Sequence, residues 1–218
     1  MRAIVLRGGV EVENPLQLAL AFLEAYASHD AGDSAPTSFD EGDLRLANRG
    51  GARISAAEIA AILGRRCEIE RALREIDPAA SLTDATASIP WLPLTELFDA
   101  FADIRGVGFS KMTKALHPKR RALIPMLDSV VQAYLTRDDP RRRSPAPFGQ
   151  RATALVRSYK RDLDRNRAAL AELRRELGAR SYELTAVRIL DVLIWSVFAG
   201  TEVRPAPRSR PSGRSAHR

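Results

Sequence analysis

The chain has 218 residues, 45% hydrophobic and 28% charged, an ordinary globular balance that excludes a fibrous repeat or a wholly disordered polymer. Its formal charge is +7, but Arg204, Arg208, Arg210, Arg214 and Arg218 near the C-terminus supply five of those charges, leaving +2 for the rest. The single cysteine, Cys67, excludes an internal disulfide, a zinc site built on two thiolates and a four-cysteine iron–sulfur cluster. No stretch approaches the roughly 18 apolar residues of a membrane span, and the apolar run over residues 3–6 is far short of a secretory segment, so a cytoplasmic protein without a membrane partner is expected.

In chain order, Asn14 as a cap and Pro15 at the first helical position open a helix with Leu16, Leu20, Leu23 and Ala27 on one stripe, ending near His29. Residues 30–38 read as a connector. The acidic run Asp40-Glu41-Gly42-Asp43 then reads as the first turn of a short helix, where carboxylates meet the positive end of the helix dipole. Ser55 caps a long helix through Ile59, Ile62, Leu63, Ile69, Leu73 and Ile76, stopped by Asp77-Pro78, with Cys67 inside it as a small buried hydrophobe. After a Pro-, Ser- and Thr-rich crossing over 78–90, Leu92, Leu94, Leu97, Phe98 and Phe101 make a helix that halts at Arg105-Gly106.

Phe109 to Leu116 is a short helix, and Pro125 begins another through Leu127, Val130, Val131, Tyr134 and Leu135. Residues 138–145 are an exposed loop, and Phe148 to Leu177 is one long helix. Tyr182 to Ala199 is a last helix with a broad apolar arc, on which Arg188 and Asp191, three residues apart, are expected to pair. The fold class is therefore all-α, with seven or eight helices in a single domain over residues 1–200. Residues 201–218, basic and rich in Pro and Ser, cannot bury apolar surface and are expected to form a disordered arm.

Residues 97–135 carry the chemistry. Gly106-Val107-Gly108 sits between two helices as a helix-hairpin-helix pattern: the glycines permit the tight backbone, and the amides that open the next helix form an anion site suited to a phosphate. Three of only four lysines, Lys111, Lys114 and Lys119, fall in one nine-residue window. Lys111 and Lys114 share the face beside those amides, and His117-Pro118-Lys119-Arg120-Arg121 reads as a basic loop. Asp128, in the first turn of the helix begun at Pro125, borders its apolar stripe, which suits either a charge stabiliser or base at a cleft or an ordinary dipole-pairing acid. Tyr134, Phe148, Tyr159, Trp91 and Trp195 offer rings for stacking, although aromatics at helical spacing commonly belong to the core.

Gly106-Val107-Gly108-Phe109-Ser110-Lys111, then Leu116, then Ile124-Pro125-Met126-Leu127-Asp128-Ser129-Val130-Val131 closely resembles the helix-hairpin-helix DNA glycosylase superfamily, with 22 residues from Gly106 to Asp128. The same stretch, with the Trp-containing C-terminal helix, also looks like an uncharacterised actinobacterial family of similar length, which names no substrate. The superfamily resemblance implies a two-lobed helical domain that binds DNA, with duplex DNA the expected partner and a basic cleft between the lobes. It implies that Gly106, Val107, Gly108, Ser110, Lys111 and Lys114 engage the DNA backbone, with Lys119, Arg120 and Arg121 as further contacts. It implies that Asp128 is the catalytic aspartate, its carboxylate stabilising oxocarbenium character at C1′ of an extruded nucleotide and orienting or deprotonating water. Ser110 stands where strand-cutting members carry lysine, so hydrolysis without lyase activity is expected, with no metal or other cofactor. The alternative reading is a non-catalytic DNA-binding module in which Asp128 only caps a helix.

Overall fold

Side chains that satisfy the first amides of a helix decide where several helices of this protein begin. In the computed structural model, which describes residues 2–26, 35–137 and 145–199, Asp40 accepts from the Gly42 and Asp43 amides while Asp43 reaches back to the Asp40 amide, a reciprocal box that starts α2 (Glu41–Arg49). Ser55 and Glu58 form the same box at α3 (Ala56–Leu63). Thr185 accepts from the Arg188 amide at the start of α10 (Ala186–Phe198). The remaining helices are α1 (Pro15–Tyr26), α4 (Arg66–Arg74), α5 (Trp91–Asp99), α6 (Phe109–Leu116), α7 (Ser129–Thr136), α8 (Phe148–Arg165) and α9 (Arg167–Gly178).

The described residues thus form ten α-helices and no strand, the nearest thing to one being an isolated antiparallel bridge between Val5 and Glu11. The all-α expectation holds; the helix number exceeds the expected seven or eight because two long helices are broken. Gly64 and Arg65 separate α3 from α4, which resets the helical phase and turns Cys67 outward, so it is exposed rather than a buried hydrophobe. Asn166, at φ −102° and ψ 10°, separates α8 from α9. Its side chain receives the Val5 amide at 2.8 Å and donates to the Val5 carbonyl at 3.0 Å, so the helix breaks where it pairs with the N-terminal segment. The predicted end of α1 near His29, most of the 138–145 loop and the arm over 201–218 lie outside the described residues.

The buried apolar side chains form one cluster drawing on every helix. α5 packs chiefly on α8, and there Gly149 is required: a Cβ would collide with the Thr95 carbonyl, and the Gly149 amide donates to Asp99 at 2.6 Å. α10 lies against α1, α7 and α9, and α6 against α2. No helix among the described residues is long and apolar enough to cross a membrane.

Candidate functional site

The segment from Ile124 to Asp128 is irregular rather than helical, with the Asp128 amide turning back to the Met126 carbonyl at 2.9 Å, so α7 starts at Ser129 and not at Pro125. Long-range bonds hold it: the Leu127 amide donates to the Thr113 hydroxyl on α6 at 2.9 Å, and the Met126 amide donates to Asp191 on α10 at 3.1 Å. The buried His117 ring lies 2.6 Å from the Ile124 carbonyl. Asp128 is consequently the N-cap of α7, accepting the Val131 amide at 2.9 Å with one oxygen. It is half-buried, and its carboxylate stands where two concavities meet.

The first is a pocket of about 370 Å³, within the usual range for small-molecule sites of roughly 300–1,000 Å³. One wall is aromatic: Phe22 and Tyr26, four residues apart on α1, and Trp195 on α10 lie with ring centres 4.8–5.5 Å apart. The polar wall comprises Arg53, Lys114, His117, Arg188 and Asp191. The second is a groove of about 1,370 Å³ running over the start of α6, α7 and α8, with Arg53, Lys111, Lys114, Arg151, Arg157 and Arg161 against the single acid Asp128. Trp195, Arg53, Lys114 and Asp128 border both.

Burial lowers the affinity of the Lys114 amine for its proton, and the charges of Arg188 and Arg53 push the same way, while Asp128 opposes them. Asp191, 3% exposed, has its carboxyl raised to about 7, chiefly by burial and also by Asp128. The Arg188 charge, the Met126 amide and the Tyr159 hydroxyl offset part of that rise. Arg188 itself lies 5.4 Å from the centre of the Phe22 ring. Arg188 and Asp191, expected to pair on α10, interact through their charges, and both border the pocket.

The structure separates the residues that the sequence groups together. Gly106 needs its glycine, at φ +84° with the Glu58 carboxylate where a Cβ would lie, whereas nothing stands within 4 Å of a Cβ at Gly108. Val107 belongs to the core. Nine residues, 100–108, join α5 to α6, so the connection is longer than the three-residue turn expected from Gly106 to Gly108. Phe109, Ser110 and Lys111 line the groove, and Lys114 lies deeper, at the pocket. Lys111 donates to Glu58 at 2.6 Å, which holds the Glu58 carboxyl below its ordinary range, so a carboxylate already occupies the side of the turn expected to receive a phosphate.

The expected basic loop is corrected at two of its three positions. Lys119, 5% exposed, pairs with Asp43 at 2.7 Å and donates to the Ala35 carbonyl. Arg120, 1% exposed, donates to the carbonyls of Pro36, Lys119, Leu73 and Ile76. Both hold the fold together and neither is presented to a ligand; Arg121 is exposed. Of the aromatic candidates, Trp195 lines the pocket and Tyr134 and Tyr159 are core, while Trp91 carries the Arg157 guanidinium 4.1 Å from its ring centre.

Sequence reasoning passed over Phe22, Tyr26, Glu58 and the arginines of α8. The four-residue spacings Phe22/Tyr26 and Arg157/Arg161 were the available signals. Among the described residues no group of three or more His, Cys, Asp or Glu is placed to hold a metal ion.

No curated protein matches the chain, and no solved structure does. The profile of one family matches residues 14–197, a span that includes α1 to α9, all of α10 but its last residue, and the whole aromatic pocket. The chain therefore belongs to the family of unknown function DUF6308.

Proposed function

We propose that this protein binds DNA and acts as a monofunctional N-glycosylase, seating the sugar–phosphate backbone in the basic groove and an extruded base in the aromatic pocket. The observation that carries this reading is the position of Asp128, half-buried at the junction of a ring-lined pocket and a groove with six cations. Phosphates favour such a groove, and an unstacked base recovers its stacking on aromatic side chains. The turn before α6 serves as the hairpin of a helix-hairpin-helix, with its amides toward a phosphate.

One Asp128 oxygen caps α7, and the other acts at the sugar. As the C1′–N bond breaks, its electron pair leaves on the base and positive charge builds at C1′, where the carboxylate stabilises it. Water then adds to C1′ and gives one proton to Asp128, which releases it to solvent, and the departing base takes up a proton from solvent, so that the two hydrogens of the water end on the sugar hydroxyl and the base.

The test is a panel of duplexes carrying uracil, alkylated or oxidised bases, incubated with the protein and then treated with alkali to cut abasic sites. Cleavage of at least one substrate, reduced about a hundredfold or more in Asp128→Asn, is expected; a panel without product rejects the enzyme. The helix-capping bond of Asp128 favours a second reading, a DNA-binding module without catalysis. In that case Asp128→Asn shifts DNA as the parent does while the panel stays clean.

A further inference from the structure

Arg53 stands in a backbone conformation that its side chain disfavours. Its φ is +55°, in the left-handed region, and of the four residues other than glycine found there among the described residues it alone carries a long side chain. The loop between α2 and α3 imposes the turn. Asn48 accepts the Ile54 amide at 2.6 Å and donates to the Ile54 carbonyl at 2.9 Å, and the buried Ala52 donates its amide to the Ala47 carbonyl at 3.0 Å. With Ala52 turned inward, the exposed Arg53 side chain borders both the pocket and the groove. Glycine would fit this backbone without strain, and a strained residue kept at a cleft points to a use for its side chain.

Lys114 meets the loop at the same seam, its Nζ 3.8 Å from where a Cβ would stand on Gly51. The other three lysines of the chain each contact a carboxylate at 2.6–2.7 Å, whereas neither Lys114 nor Arg53 has a hydrogen bond or ion pair among the described residues. The charges of Arg53 and Arg188 weigh against that of Lys114, and Asp128 is the acid that opposes them. An anion set between these cations would relieve their repulsion. A phosphate has enough acceptor oxygens to meet a guanidinium fork and an ammonium together.

We infer that Arg53 and Lys114 clamp one phosphate of a sugar phosphate at the seam between pocket and groove, positioning its sugar at Asp128. This deepens the proposed function, because it takes that phosphate to be the one beside the sugar on which Asp128 acts. Both are positioning residues, and the strain at Arg53 is the cost of holding its guanidinium ready before the ligand arrives.

The experiment is calorimetric titration of the full chain at low salt with 2-deoxyribose 5-phosphate, with 2-deoxyribose and with a short unmodified duplex. The sugar phosphate is expected to bind about tenfold or more tightly than the bare sugar. Arg53→Gly and Lys114→Met should each weaken it about tenfold, the effect of losing a hydrogen bond to a charged group. Arg53→Gly should also raise the Tm, whereas Arg53→Ala should weaken binding equally without that gain, since alanine keeps the strain. Arg180→Ala, on α9 and at neither concavity, should bind as the parent does. Sugar and sugar phosphate bound within about threefold of each other, or Arg53→Gly binding as the parent does, overturns the inference; the two Arg53 variants decide it if Lys114→Met fails to fold. A clamped sugar phosphate in a protein that does not bind the duplex keeps the inference, makes a free phosphorylated sugar the ligand and removes the DNA reading. Duplex binding that neither substitution weakens, without binding of the sugar phosphate, does the reverse.

Discussion

Asp162 on α8 and Asp191 on α10 are both almost wholly buried, yet their surroundings are opposite. Asp162 meets Arg7 at 2.6 Å, and Arg7 spends its other N–H groups on the Leu135 carbonyl and on the carbonyl and hydroxyl of Ser158, at 2.7–2.8 Å. The second Asp162 oxygen lacks a hydrogen bond but sits 3.2 Å from the Arg165 guanidinium. Every charge in that cluster ends on another group of the chain, and the result joins the N-terminal segment to α7 and α8. Around Asp191 one oxygen accepts the Met126 amide and the other is sealed in without a hydrogen bond, while the residue itself borders a pocket. Burial of an acid and one oxygen without a hydrogen bond are common to both places; the guanidinium at 2.6 Å marks the brace, whereas burial raises the carboxyl that borders the pocket.

The brace breaks hardest. Arg7→Met leaves Asp162, with a side chain 1% exposed, facing Arg165 and the Tyr134 hydroxyl without its closest cation, and strips donors from two carbonyls. Removing one member of a buried pair costs about 3–5 kcal/mol. Urea denaturation of the variant should show a loss of that size; a loss under about 1 kcal/mol would mean that the cluster contributes little to holding the N-terminal segment.

At Asp191 the same kind of change has the opposite sign and depends on pH. Its carboxyl is raised to about 7 in the folded chain from an ordinary 3.8, so the folded state holds the proton more tightly than the unfolded one. Stability from this group is therefore fully present below about pH 4, is lost as pH rises toward 7, and stays lost above. The groups facing it are Arg188 on its own helix, the Met126 amide and Asp128 beside α7, and Tyr159 on α8. Asp191→Asn removes the titration and keeps an acceptor for Met126. Thermal melts from pH 4 to 8 should show the variant gaining on the parent as pH rises, by a few kcal/mol at most. Parallel curves would show that Asp191 keeps an ordinary carboxyl and that the missing donor costs nothing.

This contrast was only half legible in the sequence. The capping residues Asp40 and Ser55 announced α2 and α3 because an N-cap is a local event within four residues. The apolar spacing of α10 likewise located its buried face. The irregular run before Asp128 could not be read the same way, since Ile124-Pro125 looks like a helix start and is overridden by Thr113, His117 and Asp191 from elsewhere in the chain. Lys119 and Arg120 read as a basic surface because their partners, Asp43, Leu73, Ile76 and the carbonyls at 35 and 36, lie 40 or more residues away. The aromatic wall joins α1 to α10 across some 170 residues, a distance no spacing rule spans.

The smallest of the expected effects tests the side of the site where sequence and structure disagree most. The turn before α6 reads as a phosphate cradle, and the structure sets the Glu58 carboxylate there, bonded to Lys111. If DNA seats on that turn, Glu58 competes with it, and neutralising the acid should help. Glu58→Gln keeps an oxygen for the Ser55 amide, so α3 retains its cap, while Lys111 gains freedom to meet a phosphate. DNA affinity at low salt should rise a few-fold, and the dependence of log K on log salt should steepen by about 0.9, the contribution of one further neutralised phosphate. Unchanged affinity and slope would move the backbone path away from the turn and onto the arginines of α8, leaving Gly106 as a packing glycine that makes room for Glu58.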